Sequence, residues 1–506
     1  LRQAEFYLGP DKFQTAVRAF LKKHEYANAG WEDLVKEFEA ASGKDLRSWA
    51  NDWITKRGVP LIRVSVAVES YIQTERIMIV MKQSDPLGEG GYWKQAFKTV
   101  SFGYAGGPET GEHFYVHNAE FDPTPILNGV KKQDPKDVRI LWTGRVGPTV
   151  GPQILRKPRY VLPNYEDRAY GVFLLDPDSQ KYFLKNVGAI DDPFVRSTVW
   201  GALWDSVREC ELDPKEYVEL VVKNLGVQSA SFSLSPPDAV RAEARTLNAE
   251  TDETIVATLL GRVSTALNYY IPAPYNALAN ARASASRADG DDLRTRLEDV
   301  LIERMQNAPT LGQRITFYRA FLNIAASGHA RDVLKQMLGS VPPAVAGGVS
   351  APATSTTPSA EAAATPPIRG GELKNGIPLR AKDKFDIVTR LIIHGDPDAE
   401  RLLADLEKTE TSDDAKRYAY AARAAFATKE NREKFWNDFV NNKEISESWI
   451  EAAMGPFNSI RHDDLSLPYL QRALAELPNL KRNRKIFFVN GWLGAFIGGQ
   501  RSQEAL

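Results

Sequence analysis

Leu61-Ile62-Arg63-Val64-Ser65-Val66-Ala67-Val68-Glu69 decides how this chain is divided. Ile62, Val64, Val66 and Val68 alternate with Arg63, Ser65, Ala67 and Glu69, the period of two of a half-buried strand. Upstream the period is that of helices. Phe13, Val17, Phe20 and Leu21 form one stripe, and Leu34, Val35 and Phe38 a second that stops at Ser42-Gly43. A third carries Leu46, Trp49 and Trp53 toward a common core and ends before Gly58 and Pro60. Downstream the strand habit repeats at Thr74 to Lys82, Lys98 to Tyr104, Glu112 to His117 and Val138 to Trp142, between clusters such as Asp85-Pro86-Leu87-Gly88. Short strands punctuated by turns predict a small antiparallel β-sandwich over 61–157.

From about residue 158 to 506 the pattern is helical again. Trp200, Leu203, Trp204 and Val207 make a stripe, as do Ile255, Leu259 and Val263, then Leu297, Val300, Leu301 and Met305, then Phe385, Val388, Leu391 and Ile392. Short helices and short loops over such a length predict stacked helix pairs, an all-helical solenoid of the HEAT or armadillo type with no strict sequence period. Within it, 340–367 is a low-complexity Pro/Ala/Thr/Ser insertion, read as a mobile excursion. The expected fold is mainly α, in three regions: 1–60, 61–157 and 158–506.

Composition sets outer limits. A 506-residue chain exceeds one ordinary domain, and 43% hydrophobic residues supply real cores. Sixty-four Lys and Arg against 65 Asp and Glu give a net charge of −1, so no field exists to hold a polyanion and nucleic acid is not an expected partner. The single cysteine excludes an intrachain disulfide and a cysteine-based zinc cage. No apolar run reaches the ~20 residues of a membrane span. The chain opens on Leu1 and closes on uncapped helix formers, and is read as a piece of a longer polypeptide.

Chemistry is sparse. His113 and His117 are four apart, but on a strand that spacing puts their Cα atoms roughly 13 Å apart at ~3.3 Å per residue, too wide for one zinc. His24-Glu25 starts like a zincin motif and lacks the second histidine. Cys210 lies between Glu209 and Glu211 with no adjoining histidine, so a structural thiol is expected. Gly88-Glu89-Gly90-Gly91 falls in a strand turn, where no phosphate cradle is expected. Arg461-His462-Asp463-Asp464 is the densest ionisable cluster and reads as a helix start. No residue is assigned a catalytic or metal-binding role.

One resemblance adds to this. Leu8-Gly9-Pro10-Asp11-Lys12-Phe13, Leu21, His24, Tyr26, Asn28-Ala29, Asp33-Leu34, Ser42-Gly43-Lys44-Asp45-Leu46, Trp49, Trp53 and Gly58 with Pro60 resemble the end of a catalytic domain in the aminopeptidase N family of zinc metallopeptidases, the gluzincins. Leu162-Pro163-Asn164, Tyr170-Gly171, Leu175-Asp176 and Asp192 with Arg196 resemble that family's passage into its helical domain, and Ser412 to Lys416 is a weaker echo. The resemblance implies that 1–60 are the last helices of a thermolysin-like catalytic domain, followed by the sandwich and the helical domain.

It further implies zinc in the full-length parent, held by H-E-x-x-H and a later glutamate, with a G-x-M-E-N glutamate gripping the substrate amine. Neither motif occurs in this chain, and Tyr7 is not a match for the family's catalytic tyrosine. The fragment alone is therefore expected to be inactive, with no zinc of its own. Its expected partners are peptide substrates and a missing N-terminal catalytic segment. By the resemblance, Arg461 and His462 are candidate substrate-binding residues, a cation near a peptide's C-terminal carboxylate. The alternative is a non-catalytic helical-repeat scaffold for proteins or peptides. The compartment stays open, with the bacterial cell envelope or export favoured over the cytoplasm by the insertion's composition.

Overall fold

The computed structural model describes residues 1–71, 74–91, 93–103, 113–121, 137–142, 156–226, 250, 252–271, 284–339, 372–373 and 377–505; the 340–367 insertion lies outside them. They divide into two compact units, Leu1–Ile255 and Val256–Leu506.

The first unit begins with α1 (Arg2–Leu8), α2 (Pro10–Lys23), α3 (Trp31–Ser42) and α4 (Arg47–Ile54). Gly9 at φ +86° separates α1 from α2, and Gly43 at φ +71° caps α3 in the left-handed conformation that glycine tolerates best. The core here is small: Ala4, Leu8, Ala16, Val35, Phe38, Leu46 and Ala50. The stripe read on α2 is only partly used. Phe13 stacks on Phe38 at 5.5 Å, whereas Leu21 is 62% exposed.

Seven strands follow: β1 (Leu61–Tyr71), β2 (Thr74–Ser84), β3 (Gln95–Gly103), β4 (His113–Phe121), β5 (Asp137–Leu141), β6 (Tyr160–Tyr165) and β7 (Val172–Leu174). They form two sheets ordered β5-β2-β1-β7 and β4-β3-β6. Ile62 and Val64 enter the core with Ile77, Ile79, Met81, Phe97 and Phe121, as their alternation requires. The stripe then leaves the core, Val66 being half-buried and Val68 exposed. Two strands lie past residue 157, and β7 pairs with β1 in parallel, so the sheets are not wholly antiparallel.

Helices α5 (Pro177–Asn186), α6 (Pro193–Arg208) and α7 (Pro214–Leu225) share one start. Asp176, Asp192 and Asp213 each accept backbone N–H bonds as N-caps, with proline in the next position. Trp200, Leu203 and Val207 are buried as their spacing demands, and the Trp200 ring stands 5.8 Å from Tyr217.

Helix α8 (Glu253–Thr265) leads into the second unit, followed by α9 (Ser284–Asn307), α10 (Leu311–Ile324), α11 (Gly328–Met337), α12 (Ala381–Ile393), α13 (Ala399–Thr409), α14 (Asp413–Ala424), α15 (Lys429–Val440), α16 (Glu447–Phe457), α17 (Asp463–Asn483) and α18 (Ile486–Gly498). A two-stranded ribbon, β8 (Glu372–Leu373) and β9 (Ile377–Pro378), precedes α12. Helices α10, α12, α14, α16 and α18 pack side by side in chain order, and α15 packs on α17. Phe435, Trp436, Phe439, Phe457, Trp492 and Phe496 dominate the core at the C-terminal end. No helix among the described residues is long and apolar enough to cross a membrane.

Candidate functional site

Arg461 and His462 sit in a single 3-10 turn, Ile460–His462, immediately before α17. Arg461 is exposed and His462 half-buried. The His462 ring nitrogen Nε2 lies 2.9 Å from the Ile393 carbonyl at the end of α12, where it donates. Burial pushes its pKa down, opposed by that hydrogen bond, with the cations Arg432 and Arg461 lowering it further and Asp464 raising it. A neutral His462 therefore ties the turn to α12. Asp463 does not stand free at the helix start: its carboxylate accepts from Arg501 Nε at 3.1 Å, with both side chains largely covered.

Around this turn the fold gathers basic groups that sequence reading did not connect. Arg390 on α12 donates from Nε to Ala325 O at 2.8 Å, and Arg294 on α9 donates to Ile324 O at 3.1 Å. Both satisfy carbonyls at the C-terminus of α10, where cations are favoured. Glu298, 1% exposed, accepts from Ala326 N at 2.7 Å and Ser327 N at 3.2 Å, gripping the same loop from its other side. Arg390 keeps partial access to solvent yet lies deep among surrounding atoms. Burial first, then Arg294 and Arg461, pull its pKa down to about 9, against a raising effect of Glu298.

His394, one turn further, is pushed down to about 2 by burial and then by Arg390, Arg461, Arg331 and Arg294. Both histidines are thus neutral near pH 7. The arrangement can attract an anion, but it offers no acid–base pair and no nucleophile. Its members are spread over α9 to α17, so each reads in sequence as a lone basic residue; only the adjacency of Arg461 and His462 was visible.

Zinc does not fit the described residues. His113 and His117 both lie on β4, and His117 Nε2 is 2.7 Å from Ser101 Oγ, an existing hydrogen bond, with burial lowering the ring's pKa. Among the described residues no group of three or more His, Cys, Asp or Glu could hold a metal ion. Cys210, expected as a structural thiol, is exposed in the turn after α6 at φ +59°. The glycines of 88–91 form the turn before β3; Gly91 N donates to Asp85 Oδ2 at 2.7 Å, a fold-closing bond.

A second feature belongs to the first helices. Trp49 stacks on Tyr7 at 6.4 Å and meets Trp53 at 6.1 Å, the shared face expected of residues one turn apart. Lys44 Nζ stands 4.1 Å over the Tyr7 ring, a contact that gives Tyr7 a packing role. Trp31, Trp49 and Trp53 border a recess of about 700 Å³, and among the described residues their buried indole N–H groups find no acceptor. Unpaired buried donors cost ~1–3 kcal/mol each, so three in one small helical cluster need a reason.

No family model matches the chain. It is 22% identical over 488 residues to an aminopeptidase N of Streptomyces lividans, an alignment covering 96% of this chain and 47% of that protein. A leucyl aminopeptidase of Saccharolobus solfataricus is 37% identical over 81 residues, 16% of this chain and 10% of its own length. The tricorn protease-interacting factor F2 of Thermoplasma volcanium is 38% identical over 65 residues, 13% and 8% respectively. A solved structure of Legionella pneumophila aminopeptidase A in complex with aspartic acid aligns with all of this chain and 54% of that one, at 13% identity and a TM-score of 0.48. The chain spans about half the length of the Streptomyces relative. Its relatives are thus aminopeptidases of the N and M1 type, as the resemblance read from the sequence implies.

Proposed function

We propose that this chain, an aminopeptidase N relative over 96% of its length, is the C-terminal portion of a zinc-dependent enzyme that removes N-terminal residues from peptides. The observation that carries the proposal is that alignment: nearly all of this chain against about half of a protein named aminopeptidase N. The metal and the residues that activate water belong to a further N-terminal segment. What the present residues contribute is structural and positional.

The four helices of 1–60 complete the catalytic domain. Their unpaired indoles at Trp31, Trp49 and Trp53 and the exposed Leu21 support a surface that another segment finishes. The sandwich spaces that domain from the helical part. The side-by-side order of α10, α12, α14, α16 and α18 supports a HEAT-like solenoid, which closes the active-site cavity, limits substrate length and excludes water. Arg461, exposed within a group of cations, is the candidate contact for the distal carboxylate of a peptide, and His462 beside it, bound to Ile393 O, holds the turn that presents it. The composition of 340–367 supports an exported or cell-envelope location for the parent.

The test compares two proteins. The purified 506-residue chain is expected to release no product from aminoacyl arylamides and to hold no stoichiometric zinc, while the chain extended by its upstream segment gains both together. Turnover by the 506-residue chain alone overturns the proposal. An extended protein that stays metal-free and inert favours the scaffold reading instead.

A further inference from the structure

Within the first unit, the β4-β3-β6 sheet and helices α5 and α6 border a recess of about 380 Å³, the size of a small-molecule site. Five rings line it, with aliphatic side chains between them. Tyr160 from β6 stands 4.8 Å from both Tyr182 and Phe183 of α5, and Phe114 of β4 meets Tyr160 edge-on at 6.4 Å. Phe114 is 67% exposed although it lies on a packed sheet face, so an aromatic surface is left open at the mouth.

The polar groups of the recess are unusually idle. Tyr160, Tyr165 and Tyr182 all line it, and among the described residues none of their hydroxyls makes a hydrogen bond. Tyr160 is only 9% exposed, yet its hydroxyl is not among the fully buried unpaired groups and so opens onto the recess. Its hydroxyl is held in the neutral form by burial first, then by Tyr182 and Tyr165.

Among the described residues one charged side chain lines the recess, the exposed Asp192. Its Oδ1 carries both N-cap bonds, from Phe194 N at 2.8 Å and Val195 N at 3.3 Å. Oδ2 has neither a hydrogen bond nor an ion pair among the described residues. The N-terminus of α6 offsets part of this charge. The C-terminal turn of α5, ending at Asn186 on the rim, carries partial charge of the opposite sign and restores it. Arg196, the cation of the following turn, is spent on Glu250 at 2.6 and 3.0 Å.

Ring faces attract cations and repel anions, phenol oxygens accept from N–H, and the one formal charge among the described lining residues is negative. We infer that this recess binds a small organic ammonium, an aromatic or aliphatic body bearing one protonated amine. The body packs against Phe114 and Phe183, and the ammonium lies among the tyrosine oxygens facing Asp192. This site is independent of the peptidase reading and involves none of the residues invoked there.

The test uses the 506-residue chain and phenethylamine as the probe, with 3-phenylpropionate as the matched anion, in titration calorimetry. Phenethylamine is expected to bind one per chain, and 3-phenylpropionate not to bind. Asp192→Asn keeps the cap, since asparagine caps as well as aspartate, and should weaken binding about two- to fivefold. Val116→Trp, at a 56% exposed position lining the recess, should abolish binding by filling it, with unchanged thermal unfolding showing that the protein is folded. A lysine-initiated tripeptide distinguishes the source: tighter binding than phenethylamine assigns the ammonium to a peptide, weaker binding to a free amine. Absence of phenethylamine binding at millimolar concentration overturns the inference. So does equal binding of 3-phenylpropionate, or indifference to both substitutions.

Discussion

Acidification should destabilise the second unit through one residue, His394. The ring closes the C-terminus of α12, and its Nε2 is buried with no partner among the described residues, as suits a neutral imidazole. Arg390 on its own helix, Arg331 on α11, Arg294 on α9 and Arg461 before α17 all oppose its protonation, and with burial they lower its pKa to about 2. An unfolded histidine titrates near ~6.5. The unfolded chain therefore takes up a proton as pH falls below that value, while the folded chain does not until about 2. The neutral ring's contribution is fully present above ~6.5 and is lost as pH falls, at about 1.4 kcal/mol per pH unit. Between pH 7.5 and 4.5 this amounts to roughly 2.7 kcal/mol.

The measurement is urea unfolding at pH 7.5, 6.5, 5.5 and 4.5, followed by tryptophan fluorescence, for the parent and for His394→Asn. His462 and His117, also depressed by burial, contribute to both proteins and cancel in the comparison. The parent should lose about 2–3 kcal/mol more than the variant over that interval. Parallel pH profiles, agreeing within about 0.5 kcal/mol, would refute the placement of a neutral histidine among these arginines.

Two further substitutions test the first unit. Glu250, with its side chain 3% exposed, accepts from Arg196 Nε and Nη2 and from Asp252 N, so Glu250→Ala strands a covered guanidinium; the expected loss is about 3 kcal/mol by chemical denaturation, and less than about 1 kcal/mol would show the pair to be solvated. Gly171→Ala would put a Cβ 2.6 Å from Ile62 Cδ1 and 2.8 Å from Pro60 O, where the Val172 N bond to that carbonyl holds the backbone; we expect about 1–3 kcal/mol of destabilisation, and a stability unchanged within error would mean that β7 moves freely against β1.

Periodicity made the alternation of helical and strand regions legible in the sequence, whereas three helix starts were written there and passed over. The Asp-Pro steps at 176–177, 192–193 and 213–214 each start a helix, because aspartate supplies the cap and proline needs no N–H there. Tyr160 to Tyr165 escaped, since Pro163 inside so short a run argues against a strand. The residue is accommodated because β6 is the edge of its sheet, where one missing donor goes unnoticed. The basic group around Arg461 escaped for a different reason. Its members come from α9, α11, α12 and the turn before α17, and only helix packing brings them together.

The residues that carried the family resemblance explain why it reaches the fold and stops short of the chemistry. Asn164, at φ +52°, closes its loop with bonds to both Ala169 N and Ala169 O. Gly171 allows the approach of β7 to Pro60, Asp176 caps α5, and Arg196 satisfies Ile190 O, Asp191 O and Glu250 at once. Each is a turn, a cap or a buried partner, required wherever the backbone takes this course and indifferent to what is bound elsewhere. A likeness built from such residues follows from shared geometry. Peptide hydrolysis would need groups that polarise and protonate at a bound peptide, a requirement that turns, caps and buried partners do not carry.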